Sequence, residues 1–173
     1  MKKLNHGFTL LELVMVIAIA AIVLAGALPS MTQTIRNNTV ASQNLSMVAM
    51  LKFARSEAIR RNTDVTMEFS ASGNTWSAIV QDPNEETDVE GCNPGQLRCT
   101  SNTNVALQEN PATLTFNSRG YFEVTAGEWS AAESMFLQHE YCSGQNQRTR
   151  INILPTGQVS SCSLPCDSTA VCQ

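Results

Sequence analysis

The side chain most suited to specific chemistry in this 173-residue chain is a carboxylate inside an apolar run. Residues 8–28 contain Glu12 as their only ionisable side chain, and Lys2 and Lys3 precede them. Placing a carboxylate in hydrocarbon costs on the order of 2–3 kcal/mol even on lenient scales. A chain tolerates that cost where the carboxylate later meets a cation, so Glu12 is a candidate functional residue.

Residue patterns typical of catalysis or metal binding are scarce. The chain has two histidines, and His139 lies in an expected strand, where a structural role is the ordinary one. The sequence contains no Gly-x-Ser-x-Gly motif and no phosphate-binding glycine loop. The acidic stretch after Gln81 lacks the alternating Asp/Asn spacing of a calcium loop. The sequence therefore predicts no enzyme, no metal site and no cofactor.

The apolar run around Glu12 is long enough to cross a membrane. As a helix, residues 8–28 would span about 31 Å, against about 30 Å for a hydrocarbon core. The two lysines suit the cytoplasmic flank of an inserted segment. A cleaved secretory signal peptide and a plain signal anchor are the alternatives. The run is longer than most signal-peptide cores, and an internal acid is unusual in either.

Composition bounds the rest of the chain. Lys and Arg total 11 and Asp and Glu total 15, giving a net charge of −4. This balance argues against a protein whose whole surface binds nucleic acid. The six cysteines favour disulfide bonds in an oxidising compartment, if the domain is translocated.

Apolar periodicity predicts one long helix ending near Arg61. The stretch from Ser30 has no Gly or Pro. A buried stripe is expected at Met47, Leu51, Ala54 and Ala58. The opposite face is expected to be solvated and to carry Lys52, Arg55, Ser56, Arg60 and Arg61. Glu57 is placed to pair with both Arg60 and Arg61.

Beyond Asp64 the apolar period changes to two, which predicts antiparallel strands. The expected strands begin at Val65 and continue at 76–81, 112–116, 120–125, 135–141, 150–154 and 158–162. Residues 82–104 are expected to form a surface loop. A long helix followed by short strands predicts an α+β fold, with the helix covering one face of a sheet.

The segment Gly7-Phe8-Thr9-Leu10-Leu11-Glu12 resembles the class III signal of type IV pilins and type II secretion pseudopilins. The resemblance implies that a prepilin peptidase cleaves after Gly7 and methylates the new amino terminus at Phe8. It implies that Glu12 pairs with the N-terminal amine of a neighbouring subunit during assembly. Pro29 occupies the place of a helix-bending proline in many members.

Three further segments are similar to the GspH/FimT (FimU-like) group of minor pilins. They are Phe53-Ala54-Arg55-Ser56-Glu57-Ala58, Leu114-Thr115-Phe116-Asn117-Ser118-Arg119-Gly120 and Arg148-x-Arg150-Ile151-x-Ile153-x-Pro155-Thr156-Gly157. The resemblance implies a type IV pilin-like fold, in which a long N-terminal helix packs on antiparallel sheets. It divides the chain into a leader (1–7), a transmembrane and assembly helix (8–28) and a globular domain (29–173). The amphipathic half of the helix, to about residue 61, belongs to the globular domain.

The cysteines admit many pairings, and three are expected. Cys92 and Cys99 flank a turn-prone segment and are expected to pair. Cys142 and Cys162 sit at the start and end of the final hairpin region, and joining them resembles a disulfide that many pilin relatives have near the C-terminus. Cys166 and Cys172 remain as the third pair.

The resemblance implies a subunit of a larger assembly and leaves three interpretations open. The first is a minor pilin at or near the tip of a type IV pilus, which helps prime assembly for adhesion and twitching motility. Its partners would be other minor pilins and the major pilin. It would lie in the inner membrane as a single-pass protein before joining a pilus on the cell surface. The second is a periplasmic minor pseudopilin of a type II secretion system.

The third interpretation is a minor pilin that binds DNA for natural transformation. Its candidate contacts are Arg148, Arg150 and Arg119. The Gly-Arg-x-Arg segment of DNA-binding relatives is replaced here by Gly157-Gln158-Val159-Ser160, which lacks both arginines. So few cations predict weak binding with a shallow dependence on salt.

Overall fold

The computed structural model describes residues 8–84, 89–109, 113–126, 133–144 and 146–168. Within them, helix α1 (Leu10–Arg61) is followed by nine strands. The strands are β1 (Val65–Ser72), β2 (Thr75–Gln81), β3 (Gln96–Thr103), β4 (Val105–Gln108), β5 (Thr113–Phe116), β6 (Phe122–Ala126), β7 (Glu133–His139), β8 (Gln147–Ile153) and β9 (Val159–Pro165). The chain divides into two compact units, one ending at Ile35 and a larger globular unit beginning at Arg36.

The described strands form two antiparallel sheets in the globular unit. One has the order β3-β2-β1-β5-β6 and the other the order β4-β7-β8-β9. In the first sheet, Met67 lies opposite Val80 on one side and Leu114 on the other. In the second sheet, β8 pairs with both β7 and β9.

The hydrophobic core lies between the helix and the sheets. Met47, Leu51, Ala54 and Ala58 are fully buried, which confirms the predicted stripe. They form one cluster with residues of both sheets, including Met67, Trp76, Leu114, Phe116, Leu137 and Ile151. The predicted α+β fold, a long helix on antiparallel sheets, is therefore confirmed.

The helix ends at Arg61 because the next residue adopts a left-handed conformation. Asn62 has φ 53°, a region that asparagine tolerates better than most residues. The Thr63 N–H donates to Ala58 O at 3.2 Å, and the Asn62 N–H donates to Ile59 O at 3.4 Å. This pair of bonds is a Schellman motif, which satisfies carbonyls that the helix leaves without partners.

The expected surface loop over residues 82–104 is wrong in its second half. Residues Gln96–Thr103 form β3, which pairs with β2 along most of its length. The alternation of apolar residues is absent because β3 is an edge strand and Leu97 is its one buried residue. Strand β4 was not predicted either, and its first three residues are all buried. Ala112, expected to begin a strand, lies outside the described residues.

Two of the three expected disulfides are wrong. Cys92 bonds to Cys99, as expected, but Cys142 bonds to Cys166 rather than to Cys162. The pairing Cys166–Cys172 is therefore wrong as well. Cys162 is also disulfide-bonded, and Cys172 lies outside the described residues.

Strand register explains the Cys142–Cys166 bond. Pro165 is paired with Gln147 at the start of β8, so Cys166 follows at the β7–β8 end of the sheet. The Cys166 N–H donates there to Asn146 O at 3.0 Å. Cys162 instead lies opposite Arg150, further along the strand pair and away from Cys142.

Candidate functional site

The N-terminus of α1 is capped by Thr9. The Glu12 N–H donates to Thr9 Oγ1 at 3.2 Å, and the Leu13 N–H donates to Thr9 O at 3.2 Å. Thr9 is therefore the N-cap, and Glu12 is the third helical residue. Thr-x-x-Glu before an apolar run is the sequence pattern of a capping box, which sequence reasoning missed here. The Glu12 carboxylate lies in the first turn, where the helix dipole favours a negative charge.

The helical segment that begins at Thr9 exposes its apolar side chains. All described side chains from residue 8 to residue 25 are exposed, and Phe8 is 80% exposed. A surface of this kind is covered by lipid or by other apolar helices in a stable assembly.

Within the part of the chain that the structure describes, no helix has the length and apolar character needed to cross a membrane.

The predicted processing and bending residues are only partly described. Gly7 lies outside the described residues. Helix α1 runs without interruption through Pro29, whose side chain lies outside the description. Cleavage after Gly7, methylation of Phe8 and a bend at Pro29 therefore remain predictions.

In the globular unit, Arg55 of α1 joins two turns that belong to different sheets. Its Nε–H donates to Gly120 O at 3.0 Å, and its NH2 group donates to Thr156 O at 3.0 Å. Gly120 lies in the β5–β6 turn, and Thr156 lies in the β8–β9 turn. We call this arrangement the Arg55 clamp, defined by Arg55, Gly120 and Thr156. The expectation of a solvated Arg55 is wrong, because the side chain is half-buried and hydrogen-bonded at both ends of its guanidinium.

The two turns approach so closely that position 157 requires glycine, and a positive φ favours glycine at both positions 120 and 157. Gly157 has φ +74°, and a Cβ added there would lie 2.0 Å from Gly120 O and 2.8 Å from Arg55 Nε. Gly120 has φ +78°, and a Cβ added there would lie 2.7 Å from Ile59 Cδ1. These glycines supply both the left-handed backbone and the space that the clamp needs.

The clamp unites the three segments that carried the resemblance within the globular domain. Arg55 comes from the first, Gly120 from the second, and Thr156 with Gly157 from the third. A direct backbone bond, from the Phe122 N–H to Pro155 O at 3.3 Å, also links the two turns. The three segments that resemble the family, although far apart in the sequence, therefore meet at the Arg55 clamp.

A groove of about 390 Å³ lies beside the clamp. Its lining combines cationic, polar and apolar residues: Lys52, Arg55, Ser56, Ile59, Gly157, Gln158 and Val159. The groove opens between the outer face of α1 and the β8–β9 turn. It gives this end of the globular unit a concave surface with mixed chemistry.

The predicted ion pairs of Glu57 are present. Arg60 Nε donates to Glu57 Oε1 at 3.1 Å, and Arg61 Nε donates to Oε2 at 2.7 Å. Glu57 is buried, and Arg61 also lies 3.8 Å from Asp82 Oδ2. The hydrogen bond from Arg60 is the main cause that lowers the pKa of Glu57; burial opposes the shift, and the bond from Arg61 adds to it. The hydrogen bond with Glu57 and its negative charge in turn raise the pKa of Arg60.

Arg148 and Arg150, the candidate DNA contacts, lie against an aromatic ring. Their guanidinium carbons are 4.5 Å and 5.3 Å from the centre of Phe136. Arg148 also donates to Ser168 O, and Arg150 Nε donates to Asn152 Oδ1 at 3.1 Å. Arg119 is exposed in the β5–β6 turn of the other sheet. The structure thus brings Arg148 and Arg150 together but gives both of them partners within the fold.

His139 lies at the end of β7, in a structural setting. Its Nδ1 accepts a hydrogen bond from the Tyr141 N–H at 3.3 Å, and the two rings are stacked at 5.7 Å. Arg36 of α1 lies 4.7 Å from the centre of the Tyr141 ring. These contacts tie the beginning of the globular part of the helix to the β7–β8 loop.

Two known families match this chain, one over most of the globular unit and one over the N-terminal segment. The family described as type II transport protein GspH matches residues 45–157, and the prokaryotic N-terminal methylation motif matches residues 2–28. The helix-on-sheet fold behind such a motif defines a pilin-like subunit. Because the first match covers more than half of the chain, the chain belongs to the GspH family of minor pilins and pseudopilins. Membership implies a structural subunit that is processed as a prepilin and associates with other pilins or pseudopilins.

Two solved structures are similar to this chain. Both are of the type IV minor pilin FimU of Pseudomonas aeruginosa strain PAO1, in two crystal forms. The first is 17% identical with a TM-score of 0.49, covering 74% of this chain and 94% of that chain. The second is 18% identical with a TM-score of 0.49, covering 71% of this chain and 87% of that chain. No curated protein sequence matches the chain.

Proposed function

We propose that the protein is a minor pilin that enters a type IV pilus at or near its tip and helps prime pilus assembly. The observation that carries the proposal is the exposed apolar helix from residue 8 to residue 25, interrupted by one carboxylate. Such a surface suits a bundle of like helices in the core of a fibre. The globular unit then lies outside that bundle, and its role is structural rather than catalytic.

The proposal includes processing of the N-terminus. A prepilin peptidase cleaves after Gly7 and methylates Phe8, in line with the match to the methylation motif. Cleavage removes Lys2 and Lys3 and leaves the amine of Phe8 as a cation. The Glu12 carboxylate of one subunit then pairs with the amine of a neighbour, because each ion is costly to bury alone.

The proposal places the protein first in the inner membrane and then in the pilus. Residues 8–28 form the single membrane anchor before assembly. Their apolar composition supports this assignment, as does the positively charged N-terminal flank. After assembly the globular unit reaches the cell surface, and the neighbours are other minor pilins and the major pilin.

A minor pseudopilin of a type II secretion system is the second candidate. The observation that favours it is the family match itself, since that family is described as a type II transport protein. Its assembly would stay in the periplasm. DNA is not proposed as a ligand, because Arg148 and Arg150 are engaged by Phe136, Ser168 and Asn152.

Deletion of the gene separates these candidates when three quantities are measured in one culture. They are sheared surface pilin, secreted exoprotein and transformation frequency, each with a complemented control. Loss of surface pilin with normal secretion is the expected result. Lost secretion with normal pili would assign the protein to the secretion apparatus. Failure of transformation alone, with pili present, would restore DNA as a candidate ligand.

A further inference from the structure

Three large apolar side chains remain half exposed around the Arg55 clamp. Ile59, Tyr121 and Leu154 are 50%, 50% and 44% exposed. Among the described residues of the globular unit, the other large apolar side chains with comparable exposure are Leu45 and Tyr141. Three of these five therefore lie at one end of the unit.

The clamp brings together the helix turn and the two loop turns that carry these side chains. Ile59 lies directly behind Gly120, the residue before Tyr121. Leu154 precedes Pro155, whose carbonyl accepts the hydrogen bond from the strand that follows Tyr121. Because a Cβ at position 157 would meet Gly120 O at 2.0 Å, the two turns lie in direct contact.

Cations border this apolar surface. Lys52 is exposed and lines the groove beside Arg55, and Arg119 is exposed next to Gly120. Neither side chain has an ion-pair partner among the described residues, whereas the charge of Arg60 is engaged by Glu57. The chain as a whole carries a net charge of −4, so two unpaired cations beside apolar side chains stand out from its average surface.

We propose that this clamp face, defined by Lys52, Ile59, Arg119, Tyr121 and Leu154, docks an acidic segment of a neighbouring pilin-type subunit. The segment presents one acidic side chain to Lys52 and another to Arg119, and it inserts an apolar side chain into the groove beside Lys52 and Ile59. Charge complementarity and the groove of about 390 Å³ carry the inference. Two cations are too few for firm binding of nucleic acid, and the apolar side chains favour a protein segment. The identity of the partner as a fibre subunit rests on the proposed function.

The first test is photo-crosslinking in cells that assemble the fibre. Tyr121→benzoylphenylalanine places a photoreactive group on the clamp face of the full chain. The matched control is Tyr141→benzoylphenylalanine, at a tyrosine that is 56% exposed outside the clamp face. The expected product from position 121 is a crosslink to a pilin-type subunit, mapped by mass spectrometry to a segment containing Asp or Glu. Position 141 is expected to lack this product.

Charge reversal tests the chemistry of that contact. Lys52→Glu with Arg119→Glu should lower the crosslink yield by about tenfold, because like charges then face each other. The matched variant, Lys52→Arg with Arg119→Lys, keeps both charges and should retain the yield. Replacing the mapped acidic residues of the partner by Lys should restore crosslinking to the Glu variant. Thermal unfolding of each variant checks that the fold is intact.

The outcomes separate this inference from the proposed function. If the fibre contains the subunit but position 121 crosslinks to lipid, to nucleic acid or to nothing, the docking proposal is overturned. A yield that charge reversal leaves unchanged overturns it equally. If the unsubstituted chain is itself absent from sheared fibres, the proposed function is rejected, and the fibre subunit is rejected with it as the docking partner. A charge-dependent crosslink to an acidic segment of a protein outside the fibre would retain the docking chemistry and reject the partner class.

Discussion

At the scale of single residues, Arg55 shows how one guanidinium can hold two backbone turns. A planar, permanently charged group offers several donors in fixed directions, which suits two carbonyls that approach from different sides. Sequence reasoning assigned Arg55 to the solvated face because the helical period places it beside Lys52 and Ser56. The information that contradicts this assignment lies in the turns at Gly120 and Thr156, far away in the chain.

Arg55→Ala is expected to destabilise the globular unit. Loss of two charge-assisted hydrogen bonds at a half-buried site should reduce the free energy of unfolding by about 2–3 kcal/mol. Arg55→Lys should lose most of the same amount, because an ammonium group lacks the planar fork. Urea denaturation of the full chain in detergent, followed by tryptophan fluorescence, measures the effect. Lys52→Ala is the control, since Lys52 lies on the same helix face and has no described partner. Equal stability of the Arg55 and Lys52 variants would contradict the clamp.

Gly157→Ala separates steric exclusion from backbone strain. The new Cβ would meet Gly120 O at 2.0 Å, so the two turns must move apart. We expect the free energy of unfolding to fall by about 3 kcal/mol or more. Gly73→Ala is the matched control, because Gly73 also has a positive φ (+56°) but nothing within 4 Å of the added Cβ. That variant should cost about 1 kcal/mol through strain alone. Similar losses of unfolding free energy in the two variants would show that the short distance between Gly157 and Gly120 O contributes little to stability.

Glu57 makes a pH-dependent contribution. Because Arg60 and Arg61 lower its pKa in the folded state, its stabilising effect is present above the unfolded value of about 4.3. The effect is lost as the pH falls through the lower, folded value. Glu57→Gln should therefore destabilise the protein at pH 7, and the difference from the parent chain should shrink at acidic pH. Unfolding measured between pH 3 and pH 7 tests this. A difference that stays constant down to pH 3 would contradict this contribution of Glu57.

At the scale of elements, the sequence was most informative where packing is periodic. The helix and the central strands bury regular stripes, so Met47 and Leu51 could be assigned to the core in advance, and strands could be expected where Met67 and Leu114 lie. Strand β3 could not, since an edge strand with Leu97 as its one buried residue has no clear alternation. The disulfides depended on strand register, which sets the neighbour of Cys142 and is invisible in cysteine spacing.

The Cys142–Cys166 bond should stabilise the fold more than the Cys92–Cys99 bond. The two bonds close sequence separations of 24 and 7 residues, so the first constrains the unfolded chain more. In the chain-entropy account the difference is about 1 kcal/mol. Comparing Cys142→Ala/Cys166→Ala with Cys92→Ala/Cys99→Ala by urea denaturation tests the ranking. Non-reducing peptide mapping provides the direct check, and a linked Cys142–Cys162 peptide would contradict the pairing.

At the scale of the whole molecule, the N-terminal part of the helix exposes its apolar side chains from residue 8 to residue 25. In the proposed function, the exposed helix from residue 8 to residue 25 is covered by lipid before assembly and by neighbouring helices after it joins a fibre. The apolar run with one acid could be recognised in the sequence because it is a local pattern, and its role as a membrane anchor stays a prediction. The clamp face was not predictable, since it draws on α1 and on turns of both sheets.

Glu12→Ala is expected to reduce incorporation into pili and to leave membrane insertion intact. In the proposed assembly, the anchor becomes more apolar, whereas the amine of the neighbouring subunit loses its carboxylate partner. Membrane fractionation and quantification of the subunit in sheared pili measure the two effects separately. Thr9→Val is a useful companion variant, because it removes the helix cap but keeps the carboxylate. Normal incorporation of the Glu12 variant would contradict an assembly role for that residue.

The Arg55 clamp also bears on how long a folded subunit persists. Its two acceptors lie 65 and 101 residues further along the chain than the arginine that binds them. Contacts of such long range form after the strands on either side have paired, so they are expected to be absent from the folding transition state. Interactions of that kind slow unfolding and leave the folding rate nearly unchanged. The clamp would then lengthen the time for which a folded subunit stays folded before assembly, without making the subunit fold faster.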